Sequence, residues 1–153
     1  MQDHFSNIGR CVSIFDRLMK MYYDRGLSEF GIGWGQQFYV ESIYDHPGVS
    51  PQELSQWIHV DKATLTKSIK RLTEIGYVRV SVDERDRRVK HLYLTEKAVP
   101  AAERLKQVHS EFYDTFSSGI SPEEMAAAEQ LLTRMTGNIT QKVWHRMEEH
   151  HGK

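Results

Sequence analysis

A mainly helical chain with one short β-hairpin is what this sequence predicts, and three observations carry that prediction. Apolar residues recur at helical spacing through most of the 153 residues. One helix-start signature occurs twice, as "SPQE" and as "SPEE". From Val78 to Leu94 the period of the apolar residues changes to two, on either side of an unbroken run of six charged residues, Asp83 to Arg88.

The first helix sets Phe5, Ile8, Val12, Phe15, Leu18, Met19 and Tyr22 on one stripe and stops at Gly26, Gly31, Gly33 and Gly35. Helical spacing returns in "QQFYVESIYDH" through Phe38, Val40, Ile43 and Tyr44, and ends before Pro47 and Gly48. A short third helix opens on Ser50 as N-cap, Pro51 at the first helical position and Glu53 closing a capping box. Asp61 caps a fourth helix, "KATLTKSIKRLTEI", with Leu65, Ile69 and Leu72 on its apolar side and Gly76 at its end. Val78, Val80 and Val82, then Leu92 and Leu94, alternate with polar residues and make the hairpin. Thr95 is the candidate cap of the next helix, which runs through Leu105, Val108, Phe112 and Phe116 with Pro100 in its first turns. Ser121, Pro122 and Glu124 repeat the earlier capping box and start a long last helix carrying Met125, Ala128, Leu132, Met135, Ile139, Val143 and Met147 on one face.

The length suits one folding unit. No apolar run is long enough to span a bilayer and no export signal stands at the N-terminus, so a cytoplasmic protein is expected. The single cysteine, Cys11, excludes an intramolecular disulfide. Overall charge is nearly balanced, with 20 basic and 21 acidic residues, but its distribution is not. From Asp61 to Lys90 nine basic residues face five acidic ones, a net of +4, and the remainder, eleven against sixteen, carries −5. A basic centre between acidic flanks suits a module that holds a polyanion locally.

Helix, tight turn, helix and then a hairpin with a charged tip make a winged helix-turn-helix, whose second helix enters the major groove of double-stranded DNA while the hairpin reaches a neighbouring groove. With Leu65, Ile69 and Leu72 needed inside, Lys62, Thr64, Thr66, Lys67, Lys70 and Arg71 fall on or near the outer side. Thr64, Thr66 and Lys67 are the candidates for contacts near the bases, and Lys70 and Arg71 for phosphates. The minor groove has a strongly negative potential that draws in a single held arginine. In the wing, Asp86 and Arg88 would be brace and probe, with Arg85 and Arg87 adding phosphate contacts.

The stretches "LSQWIHVDKATLTKSIKRLTEIGYV" and "DERDRRVKHLYLTEKA" resemble the recognition helix and wing of the MarR family of transcriptional regulators, and the order of segments extends the resemblance over almost the whole chain. By this resemblance Asp86 and Arg88 match the family's wing aspartate and groove-entering arginine. It also implies a homodimer, with residues 4–30 and 96–150 as dimerisation helices and 34–95 as the DNA-binding lobe, reading a pseudopalindromic operator as a repressor that a small aromatic effector releases. Phe15, Met19, Trp34, Phe38 and Tyr44 are the candidates to line the effector's crevice. One departure is Ala98 followed by Pro100, where the family often has a glycine, which leaves the start of the fifth helix open.

Two further readings stay beside this one. Cys11 reads first as a small buried hydrophobe, and oxidant sensing, known in one branch of the family, is the alternative. An architectural or protein-interaction winged helix without operator preference is the other. No metal site is expected, because His145, His150 and His151 read as solvated surface. With no nucleophile and base, phosphate loop or ligand set, neither an enzyme nor a cofactor is expected.

Overall fold

The computed structural model describes residues 3–151, and the side chains of 7–140 and of Lys142. Phe5, Val143, His145, Met147, His150 and His151, named above, have side chains outside the described residues. In chain order the elements are α1 (Asp3–Gly26), α2 (Gln36–Asp45), α3 (Pro51–Trp57), α4 (Lys62–Glu74), β1 (Val78–Val82), β2 (Lys90–Leu94), α5 (Val99–Phe116) and α6 (Pro122–His151), with short 3-10 turns at Ser28–Phe30 and Glu96–Ala98. Where the sequence suggested one folding unit, the chain divides into two compact units, Met1–Phe112 and Tyr113–Lys153.

The first unit holds more than the 34–95 segment, because Tyr23 of α1, Leu27 and the α5 residues Ala101, Ala102, Leu105 and Val108 lie in the same buried core as Leu54, Leu65, Leu72 and Leu92. Local chemistry sets the helix ends. Ser50 Oγ accepts from the Glu53 amide at 3.2 Å while the Glu53 carboxylate accepts from the Ser50 amide at 2.9 Å, so two orphan donors of α3 are satisfied reciprocally. Asp61 accepts from the Thr64 amide at 2.8 Å and so starts α4. Gly76, at φ +80°, ends α4 in a conformation that a Cβ would oppose. The turn between α3 and α4 instead uses His59 at φ 52°, where glycine is the usual occupant.

The hairpin pairs Val78 with Leu94, Val80 with Leu92 and Val82 with Lys90, antiparallel. A bridge from Val49 to Leu92 adds a third backbone partner, with the Gly48 amide donating to Leu92 O at 2.8 Å and the Leu92 amide donating to Val49 O at 3.0 Å. The alternating valines do not all face the core: Val78 is buried, but Val80 is 38% and Val82 49% exposed, because the distal half of the wing extends past the layer that covers its base. On α2 the buried residues are Gln37, Tyr39, Val40 and Ile43, whereas Phe38 and Tyr44, expected on the inner stripe, are exposed. The helix turns Tyr39 inward with Val40 and Ile43, which rotates the other two aromatics off the core. Thr95 makes no cap bond to α5; its hydroxyl donates to Gly76 O at 2.6 Å, and the turn Glu96–Ala98 with buried Ala98 leads into α5. Pro100, in the first turn of α5, removes a donor that has no intrahelical acceptor.

In the second unit the capping box forms as expected, Ser121 and Glu124 exchanging bonds of 2.9 and 3.2 Å. Its apolar side chains Leu131, Leu132, Met135 and Ile139 are exposed in the single chain, as are Ile8, Val12, Phe15 and Leu18 on α1 of the first unit. Among the described residues no helix is long and apolar enough to cross a membrane.

Leu72 is fully buried, so Leu72→Ala should lower unfolding free energy by about 2–5 kcal/mol. Gly76→Ala should cost about 1–2 kcal/mol through its left-handed backbone alone. Urea unfolding followed by circular dichroism measures both, and a loss at Gly76 that matches an exposed helical control would overturn the second expectation.

Candidate nucleic-acid interface

Burial of Leu65, Ile69 and Leu72 fixes the rotation of α4 and leaves Lys62, Thr64, Thr66, Lys67, Lys70 and Arg71 all exposed. The threonine hydroxyls are already engaged: Thr64 Oγ1 donates to Asp61 at 2.9 Å and Thr66 Oγ1 to Lys62 O at 2.7 Å. Their protons therefore serve the helix, and what they offer outward is an oxygen lone pair and a methyl group, suited to a base amino group or a thymine methyl. Lys70 Nζ lies 4.0 Å from Glu74 on the same face, a loose pair with little hold on the lysine. The Thr64 amide and hydroxyl hold the Asp61 carboxyl below the usual carboxylate range, so the cap stays charged beside the lysines.

The wing tip is built by two carboxylates. Asp83 Oδ1 accepts the amides of Arg85 at 2.8 Å and Asp86 at 2.9 Å, and the Val89 amide closes the turn on Asp86 O. Asp86 then takes three bonds from Arg88: its amide at 3.0 Å, Nε at 3.1 Å and Nη2 at 3.1 Å. The guanidinium is gripped on both oxygens while the Arg88 side chain stays 91% exposed. An exposed pair of this kind contributes little stability. What it does is hold a planar cation in one orientation, and Arg88 in turn holds the Asp86 carboxyl below its ordinary range. Arg85 and Arg87 are exposed on the same tip.

Asp83 and His91 escaped the sequence reading. His91 Nδ1 sits 2.9 Å from Gly48 O, and Nε2 sits 3.3 Å from Asp83 Oδ2, so one imidazole joins the root of the wing to the loop between α2 and α3. An aspartate two residues before a turn amide was a legible signal for Asp83. Nothing local in the sequence marks the bond of His91 to a carbonyl 43 residues away.

Of the crevice candidates, Phe15, Trp34 and Phe38 join an aromatic run through Phe112 and Tyr23, with successive ring centroids 6.2, 5.5, 5.3 and 5.0 Å apart. Burial, and less so the charge of Glu41, pushes the Tyr23 phenol up to about 12, so it stays a donor. Asp24 anchors this run by accepting the Trp34 amide at 2.7 Å, where a side chain at Gly33 would collide with its carboxylate. Met19 is half-buried on α1. Tyr44 lies apart from the run's ring pairs, under Lys106 Nζ at 4.2 Å from its centroid. Cys11 is exposed, not buried: this stretch of α1 has no covering element in the single chain.

A family model described as the MarR family matches residues 32–90. HTH-type transcriptional regulator YybA of Bacillus subtilis is 27% identical over 91% of this chain and 90% of that protein. Among solved structures, a MarR protein from Peptoclostridium difficile superposes with a TM-score of 0.86 at 28% identity, over 96% of this chain and 95% of that one. FabT of Streptococcus pneumoniae, solved in complex with DNA, does so with a TM-score of 0.72 at 27% identity, over 90% and 98%.

Asp86→Ala removes both acceptors of the Arg88 guanidinium. The heteronuclear NOE of the Arg88 Nε–H, measured on the DNA-free protein, should fall to the value of a freely rotating exposed arginine; an unchanged NOE would mean that something other than Asp86 holds it.

Proposed function

We propose that this chain is a transcriptional regulator of the MarR family, whose model matches residues 32–90, and that it acts in the cytoplasm as a homodimeric repressor on a pseudopalindromic operator. The observation that carries the reading is Arg88, an almost fully exposed guanidinium clamped on both oxygens of Asp86 at the end of a hairpin. A clamped arginine enters a narrow minor groove with less ordering still to be done, and it senses groove width without a base code. Lys62, Thr64, Thr66 and Lys67 at the start of α4 are then the major-groove contacts, and Lys70, Arg71, Arg85 and Arg87 hold phosphates. The DNA-bound state of FabT supports the use of this fold on a duplex.

The exposed apolar residues of α1 and α6 support a second copy of this chain as their cover. Release follows if an aromatic effector binds the run formed by Phe15, Trp34 and Phe38, with Met19 and Tyr44 at its margins, more tightly when the two recognition helices stand at a spacing that does not match the operator. Such a ligand shifts the equilibrium only by its differential affinity. The exposure of Cys11 favours a second reading, in which oxidation of this thiol weakens DNA binding.

Fluorescence anisotropy on duplexes tiled across the DNA beside the gene should find one tight site over a weak background. Arg88→Ala should weaken that site at least about tenfold, and Arg88→Lys should restore little of it because the bidentate geometry is gone. Lys70→Ala should flatten the salt dependence by about one unit of slope. Uniform weak binding abolished by salt would replace the operator reading with an architectural one. Leu132→Asp should give a monomer by sedimentation, and a dimer retained in that variant would reject α6 as the interface. Cys11→Ser should abolish any peroxide-induced loss of binding, and an unchanged loss would reject the thiol.

A further inference from the structure

His91 stands where the wing meets the body of the first unit. It pairs across the hairpin with Ser81, and the next pair on the same face of the sheet is Arg79 with Tyr93, the guanidinium 4.6 Å from the ring centroid. Its Nδ1 faces the Gly48 carbonyl at 2.9 Å, in the loop leading to α3, and its Nε2 faces the Asp83 carboxylate at 3.3 Å, in the turn of the wing. Glu53, in the first turn of α3, adds a second negative charge near the ring. Both atoms that the ring nitrogens face are acceptors with no proton to give. A neutral imidazole has one N–H and satisfies only one of them; the imidazolium satisfies both.

We propose that His91 is a proton-operated clasp that, when charged, ties the wing turn to the corner between α2 and α3 and so holds the wing in its DNA-binding position. The inference rests on the reading of the wing as a DNA contact. The chain of bonds is short: His91 holds Asp83 Oδ2, Asp83 Oδ1 holds the amides of Arg85 and Asp86, and Asp86 holds Arg88. Losing the proton frees one end of the ring, and the wing turn is then fixed to the hairpin alone. Hydrogen bonding to the Gly48 carbonyl, then to Asp83, raises the imidazole above the ordinary histidine value. The Asp86 and Arg85 amides and His91 keep Asp83 ionised well into acid. The sign follows: a raised folded pKa gives a clasp fully present below the ordinary histidine value of about 6.5 and lost as pH rises through the raised value.

His91 is therefore a positioning residue, and its test reads proton binding and DNA binding separately. On the full chain without DNA, an NMR titration should show the His91 imidazole titrating above an ordinary histidine, with the amides of Gly48, Arg85 and Asp86 moving at the same midpoint. Asp83→Asn should bring the midpoint down, since the amide keeps an acceptor for the turn but turns a donor or a neutral oxygen toward the ring. Anisotropy with a mixed-sequence duplex of about thirty base pairs should show the natural chain binding roughly fivefold tighter at about pH 6 than at about pH 8, beyond whatever change His91→Gln retains. A His91 midpoint at or below the ordinary value, or wing amides that do not follow it, would overturn the clasp. A clasp that titrates while the pH dependence of binding is the same in His91→Gln would overturn its control of the wing. Absence of binding to any duplex at either pH, with the titration intact, would instead overturn the DNA-binding reading.

Discussion

The face that α4 turns to solvent depends on the burial of one stripe, Leu65, Ile69 and Leu72. A helix of 13 residues has one rotational setting that puts those three inside, and that setting decides which side chains remain outside. Were the stripe one position out of phase, either Lys70 or Arg71 would have to be buried, at a large desolvation cost. The core therefore selects which face of α4 stays in solvent. The same residues join α4 to Leu54 and Leu92, so α4, the helix before it and the hairpin share a single set of apolar contacts.

The wing answers a different physical problem. Six consecutive charged residues on a turn, three acidic and three basic, have no apolar packing to fix where their side chains point. Here two of the acidic residues, Asp83 and Asp86, accept five hydrogen bonds from backbone amides and the Arg88 side chain, so the acids build the turn and the bases are displayed on it. None of these bonds is worth much in water one at a time. Their value is conformational: they restrict where a long cationic side chain spends its time, which is the quantity that sets how much order must still be gained on binding.

What was legible in the sequence follows the range of the interactions involved. The capping boxes at Ser50 and Ser121, the Asp61 cap and the stop at Gly76 each depend on residues within one helical turn, and each forms as its residue types dictate. The exposed basic face of α4 was equally readable, because it is the complement of a periodic apolar stripe. Burial was harder wherever it depends on what lies opposite. Val80, Val82, Phe38, Tyr44 and Cys11 are apolar or small and sit on regular elements, yet they are exposed because nothing covers those faces in one chain. Thr95 had the right residue type for a cap and spends its hydroxyl on Gly76, 19 positions back. His91 lay beyond reach for the same reason, since its partners are brought to it only by the finished sheet and the Val49 bridge.

Charge distribution ties these local devices to the behaviour of the whole chain. A net charge of −1 gives no general attraction to a polyanion, and the acidic remainder of the chain is repelled by one. On the proposed reading, the excess of basic residues from Asp61 to Lys90 makes approach to a duplex most favourable when α4 and the wing face it. A chain with the same basic residues and no acidic remainder would bind DNA in many orientations and be held on sequence-independent sites. On the proposed reading the acidic remainder lowers that competing background, and discrimination falls to the few groups whose positions the core and the wing turn have fixed.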